Sequence, residues 1–177
     1  MVKFNLVPFK PGIGVEIQGS ISMQDNAINL TFHLDGDIDK IQWPALSLSP
    51  KRTMGLWQAT CFELFVSNPN ENTYHEFNLS PSGDWHSFRF SDYRIDMATS
   101  DRLLLGTMEQ SRNIDRITLD VSIECLIPGN ITNLFQVGLG AVLLDESGQQ
   151  TCFALSHEGP TPDFHCHRSH LIKLSID

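Results

Sequence analysis

The stretch Tyr74–Phe90, YHEFNLSPSGDWHSFRF, decides the fold. It divides into two runs of alternating polarity, Tyr74 to Ser80 and Trp85 to Phe90, around Pro81-Ser82-Gly83-Asp84. A period of two is the pattern of a strand, and the Pro and Gly between the runs suit a four-residue hairpin loop. The spacing predicts a core face of His75, Phe77, Leu79, His86, Phe88 and Phe90. The opposite face then carries Tyr74, Glu76, Asn78, Ser80, Trp85, Ser87 and Arg89. In this register Ser80 faces Trp85, Asn78 faces Ser87 and Glu76 faces Arg89, an attractive cross-strand pair.

The preceding run, CFELFV (Cys61 to Val66), alternates in the same way, with Phe62, Leu64 and Val66 on one face and Cys61, Glu63 and Phe65 on the other. Setting Phe65 opposite Tyr74 puts Glu63 opposite Glu76 and Cys61 opposite Asn78. Both apolar faces then stay together, which a one-residue slip would prevent. The expectation is a row of Glu63, Glu76 and Arg89 across three strands, with Asn78, Ser87 and Cys61 beside it. Trp57, Phe65, Tyr74 and Trp85 flank it. Two carboxylates on neighbouring strands repel. Arg89 offsets one; the other must face water, share a proton, bind a cation or bond a ligand. Acids and amides among flat rings suit a polyol, whose hydroxyls exchange hydrogen bonds while its C–H face lies on an aromatic ring. The same alternation also fits a solvent-facing sheet with an ordinary salt bridge.

Similar runs recur along the 177 residues: Val15 to Met23, Ile28 to Leu34, Trp57 to Val66, Ile117 to Cys125, Thr151 to His157 and His170 to Ile176. Phe135 to Leu144 is apolar almost throughout and reads as a central strand. No window keeps a helical period for three turns, though a short helical turn fits near Asp101 to Leu105 or Ser122 to Ile127. The expectation is one all-β domain over residues 1–177, an antiparallel, jelly-roll-like β-sandwich. With 41% hydrophobic residues the chain can bury a core. A net charge of −9 without a basic stripe argues against phosphate-backbone binding and docking on an anionic membrane, so neither nucleic acid nor membrane is expected as a partner. No apolar run has signal-peptide or membrane-spanning length. Taking Met1 as the initiator, the expected compartment is the cytoplasm, where Cys61, Cys125, Cys152 and Cys166 are plain buried thiols. The sequons at Asn29, Asn78 and Asn130 then carry no sugar.

Leu56 to Val66 (LWQATCFELFV), continued by Tyr74 to Trp85 (YHEFNLSPSGDW) and Ser91 to Arg94 (SDYR), resembles the DOMON-like proteins, which are grouped with DOMON domains and family-nine carbohydrate-binding modules. Pro162 to His165 (PDFH) also looks like that group. The resemblance implies a β-sandwich of about ten or eleven strands with a ligand face, in a superfamily whose members bind sugars or haem. Trp57, Glu63, Glu76, Asn78 and Trp85 fall on the motif, and Tyr93 and Arg94 match its trailing residues. Arg89 lies just outside. The candidate ligand-binding set is therefore Trp57, Glu63, Glu76, Asn78, Trp85, Arg89, Tyr93 and Arg94.

The leading expectation is a small-molecule-binding sandwich for a carbohydrate or similar polyol, with no cofactor. A haem-binding alternative needs axial Met and His; Met54, Met97 and Met108 with His157 or His165 are the candidates. A non-catalytic protein-interaction module is the other alternative. His165 and His167 would share a strand face, as two zinc ligands do, but a third ligand is not evident. Glu63 and Glu76 are the carboxyl pair a glycosidase would use, yet an exposed sheet gives them neither a cleft nor a dehydrated acid. No nucleophile elbow, zinc-protease or phosphate-loop motif occurs.

Overall fold

The structure, a computed structural model, describes residues 1–69, 71–128 and 134–175. Twelve strands follow in order: β1 (Val2–Pro8), β2 (Val15–Gln24), β3 (Ala27–Gly36), β4 (Cys61–Ser67), β5 (Tyr74–Leu79), β6 (Trp85–Phe90), β7 (Ala98–Thr99), β8 (Leu103–Arg112), β9 (Arg116–Cys125), β10 (Leu134–Leu144), β11 (Gln150–Ala154) and β12 (Ile172–Ser175). Short 3₁₀ turns lie at Ile38–Lys40, Leu56–Gln58 and His167–Ser169. The all-β expectation holds. The stretches read as helical turns are instead the start of β8 and the end of β9. The closing strand ends at Ser175; Ile176 and the Asn130 sequon lie outside the described residues.

The pairings between these strands are antiparallel, in the order β7-β6-β5-β4-β10-β11-β1-β2-β3-β9-β8, with β12 beside β10. β1 joins the two layers. Its residues Val2 to Leu6 pair with β2, whereas Val7 and Pro8 pair with β11. Sequence alternation sets the core. Ile28, Leu30, Phe32 and Leu34 of β3 and Ile117, Leu119, Val121 and Ile123 of β9 all point inward. They meet Phe62, Leu64 and Val66 of β4, Phe77 and Leu79 of β5, and alternate residues of β10. β10 is central, with β4 on one side and β11 and β12 on the other.

The layer containing β4 and β5 is covered on both faces, and every residue of those two strands is buried. Its second face carries a separate apolar cluster of Phe65, Tyr74, Phe88 and Phe90, with Trp57 and Phe164 packed on it. The polar outer sheet expected from the alternation is thus a second interior, roofed by loops.

The hairpin register differs from expectation by one residue. Ser80 N–H donates to Asp84 O, and Gly83 N–H donates to Ser80 O, leaving a three-residue loop with Gly83 at φ 92°. Left-handed backbone there suits glycine. Leu79 therefore pairs with Trp85, Asn78 with His86, and Glu76 with Phe88. One residue fewer in the loop turns all of β6 over. His86, Phe88 and Phe90 join the Glu76 face, while Trp85, Ser87 and Arg89 move to the Phe77 face. The β4–β5 register is shifted by two, which preserves the faces: Glu63 sits opposite Asn78, and Phe65 opposite Glu76.

Candidate functional site

Glu63 and Glu76 are diagonal neighbours on the loop-covered face, each only 5% exposed. Three connectors roof them. The 3₁₀ turn Leu56–Gln58 brings Trp57, whose ring meets Phe88 edge-on at 6.0 Å. Residues 91–97 bring Arg94 and Met97, and residues 155–171 bring Pro162, Phe164 and His165. The last connector lies close because β10 is bare beneath it. A Cβ on Gly140 would come within 2.9 Å of the Phe164 ring, and one on Gly138 within 2.1 Å of His170. Between the connectors opens a cleft of about 490 Å³. Glu63, Glu76, Val142, Gln150 and Cys152 form its floor and Trp57, Phe90 and Phe164 its aromatic lining.

Hydrogen bonds organise the floor. Asn78 Nδ2 donates to Glu76 Oε1 at 2.7 Å. Glu76 Oε2 lies 3.8 Å from His165 Nε2. His165 Nδ1 is bonded to the Tyr74 hydroxyl at 2.7 Å, and that oxygen accepts the Arg94 N–H at 3.1 Å. Arg94 takes φ 56° to present this N–H, a left-handed conformation unusual for a long side chain. Its guanidinium and the Tyr93 hydroxyl both donate to Asp163, tying two of the roof segments together. Glu63 has no hydrogen-bond partner among the described residues, and neither has the buried Asn78 Oδ1.

Burial governs the protonation states. It pushes the Glu63 carboxyl well above its usual range, with the Glu76 charge acting the same way and Arg94 opposing. Burial raises Glu76 to about 7 against the Asn78 hydrogen bond and Arg94. It lowers His165 to about 4, aided by Arg94, so this imidazole is neutral at neutral pH. It lifts Tyr74 to about 12. The floor therefore presents a protonated acid next to one that can ionise.

Of the residues picked from sequence, Trp57, Glu63, Glu76 and Arg94 line the cleft. Asn78 lies in the same face beneath, and Tyr93 braces the rim through Asp163. Trp85 and Arg89 are not part of it. Trp85 stacks on Phe77 at 5.5 Å on the opposite face and carries Arg52 over its ring. Arg89 is exposed across from His75, so the expected Glu76–Arg89 pair does not form. Sequence reasoning passed over Gln150, Cys152 and Val142, which reach the floor only through the β4–β10–β11 pairing. Phe164 and His165 did carry a signal, as they belong to the PDFH stretch.

Of the haem candidates, Met97 and His165 both line the cleft, where His165 Nδ1 is bonded to the Tyr74 hydroxyl. His157 Nε2 bonds Val7 O, and Met54 lies exposed outside the cleft. The segment 165–170 is a loop with a 3₁₀ turn rather than a strand, and His165 and His167 both point their rings at Tyr74. No group of three or more metal-ligating side chains occurs among the described residues.

Comparison with known proteins locates the fold. No family model and no curated protein sequence matches the chain. Among solved structures, a candidate carbohydrate-binding protein from Bacteroides uniformis superposes with a TM-score of 0.65 at 13% identity, over 99% of this chain and 86% of the other. A family 9 carbohydrate-binding module from Caldicellulosiruptor kristjanssonii, in complex with cellotriose, gives 0.57 at 11% identity over 99% and 82%. The chain is similar in fold to family 9 carbohydrate-binding modules. A glucose complex of such a module from the same organism gives 0.53 at 12% identity over 94% and 79%.

Proposed function

We propose that the chain is a DOMON-like carbohydrate-binding sandwich whose ligand enters the cleft between Trp57, Phe164 and the Glu63–Glu76 floor. The observation that carries the reading is the floor itself: an unpartnered buried carboxyl beside a hydrogen-bonded one, under aromatic walls. Sugar hydroxyls act as both donors and acceptors. A protonated Glu63 offers a donor, while Glu76 and Gln150 offer acceptors. Trp57 and Phe164 suit the apolar face of a pyranose. The volume lies in the range of about 300–1,000 Å³ usual for small-molecule sites. The likeness in fold to modules seen with cellotriose and glucose supports the same class of ligand. An interaction module braced by Glu76–Arg89 has no such support, because those residues lie on opposite faces.

Calorimetric titration with glucose, cellobiose and cellotriose, backed by a wider sugar panel read by thermal shift, tests the reading. Trp57→Ala is expected to weaken binding about tenfold or more, equivalent to about 1.4 kcal/mol. Arg89→Ala should leave affinity unchanged. A panel in which no sugar produces heat or raises the melting temperature rejects it.

A further inference from the structure

We propose that the cleft is also a proton-transfer site that interconverts the anomers of a reducing sugar, with Glu76 as base and Glu63 as acid. The inference rests on the carbohydrate reading above and adds a reaction to it.

The geometric basis is Asn78. It sits opposite Glu63 across the β4–β5 pairing and bonds Glu76 two residues away on its own strand. Its Nδ2 is committed to Glu76 Oε1 and favours the charged carboxylate there. Its Oδ1 is buried without a donor among the described residues. A buried amide oxygen left in this state is costly, and a protonated Glu63, opposite Asn78 in the register, is placed to supply a hydrogen. One amide thus distinguishes two identical side chains, leaving Glu63 the acid and Glu76 the base. His165 Nε2 lies 3.8 Å from the far oxygen of Glu76, and its ring is held by a bond to the Tyr74 hydroxyl, which accepts the Arg94 N–H. Asn78, His165 and Tyr74 are positioning residues; the two glutamates are the groups that would exchange protons with the sugar.

An acid and a base side by side match what a cyclic hemiacetal needs in order to open. Glu76 takes the proton from the anomeric hydroxyl. The electron pair of that O–H bond forms the C1=O1 double bond, the C1–O5 bond breaks, and its electron pair takes the Glu63 proton onto O5. Rotation about C1–C2 exposes the other carbonyl face. Ring closure reverses both transfers: Glu63, now ionised, removes the O5 proton as O5 attacks C1, and Glu76 returns its proton to O1. No oxidant, water or leaving group is required. A glycosidic O1 carries no proton, so Glu76 would be idle on an intact glycoside. The reaction is therefore specific to free reducing ends. The cleft is open to solvent, so such an end can enter.

The test uses pure α-glucose, with its approach to anomeric equilibrium followed by polarimetry or by exchange NMR, and glucose affinity measured in parallel by calorimetry. The expected result is a saturable acceleration over buffer by the wild-type protein. Glu76→Gln and Glu63→Gln should each lower it by about 10²–10⁴-fold, with smaller changes in affinity and with unchanged circular dichroism. Glucose binding without acceleration by the wild-type protein overturns this inference and leaves the binding function standing. Acceleration that survives in both folded variants also overturns it, since the protons would then move elsewhere. If no reducing sugar binds while a non-reducing one does, this inference falls and the binding function stands; if no sugar binds at all, both fall together.

Discussion

At the scale of single residues, the floor of the cleft is a problem in burying charge. Two carboxyls lie on adjacent strands, almost out of water, with Arg94 as the nearby cation turned toward Asp163. Holding both ionised would cost several kcal/mol, so the folded chain keeps protons there. This has a signed consequence. Glu76 is raised from an ordinary 4.5 to about 7, mainly by burial. Below about pH 4.5 folded and unfolded chains both hold the proton, and its stabilising effect is complete. As pH rises toward 7 the unfolded chain releases the proton first, and folding stability falls. Gln at this position has no proton to lose and can still accept the Asn78 hydrogen bond. The melting temperature of Glu76→Gln relative to wild type is therefore expected to climb from pH 4.5 to 8, by the equivalent of about 1–3 kcal/mol. A difference that stays flat across this range would mean that Glu76 titrates as an ordinary surface acid. Trp57 and Glu63 were legible because each residue type is unusual where it stands. The groups around Glu76, the Asn78 amide that bonds it and His165 near its far oxygen, come together through contacts that no spacing along the chain encodes.

At the scale of elements, the strands were legible and their exact pairing less so. Alternation located β2, β3, β4 and β9, because a half-buried strand must repeat every two residues, and a nearly continuous apolar run located β10. β1 was missed, since Pro8 and Pro11 obscured a run that ends at the first of them. β8 was missed because its residues are mostly not buried. The hairpin shows how little separates a right face from a wrong one. Counting Asp84 in the loop rather than in the ladder moved Arg89 onto the wrong side of the layer. The connector 155–171 offers an element-scale test. Gly138 and Gly140 let it lie on β10, where ring atoms occupy the space a Cβ would take. Gly138→Ala is expected to cost about 1–3 kcal/mol, because the displaced His170 is packed against Phe65 and held by Phe164 O. Gly140→Ala first meets the Phe164 ring, partly exposed on the cleft wall, so it should reduce sugar affinity more than it reduces stability. Denaturant melts and calorimetry on the two variants separate the effects; equal losses in both measurements would show that Phe164 is structural rather than part of the wall.

At the scale of the whole molecule, a layer with two interiors accumulates buried titratable groups, and these oppose one another. His75, His165 and His170 are each lowered to about 4, and His86 and His167 are lowered as well, all chiefly by burial. An unfolded imidazole takes up its proton near pH 6.5, whereas these do not until the pH is far lower. Their stabilising effect is thus whole above about 6.5 and is lost as pH falls toward 4. Glu76 acts the other way over much of the same window, gaining stability as pH falls from about 7 to 4.5, and Glu63, raised well above its usual range, acts in the same direction. Five histidines outweigh two glutamates, so wild-type protein is expected to lose stability on acidification below 6.5, but gently. The Glu63→Gln, Glu76→Gln double variant removes the opposing pair. Its melting temperature should exceed that of wild type at pH 7.5, fall more steeply with acid, and meet the wild-type curve below about pH 4.5, where the carboxyls of both folded and unfolded chains hold their protons. Thermal melts at half-unit pH intervals check this. Parallel curves for the two proteins would show that the cleft acids ionise freely, and the asymmetric carboxyl pair on which both binding and proton transfer depend would be lost with them.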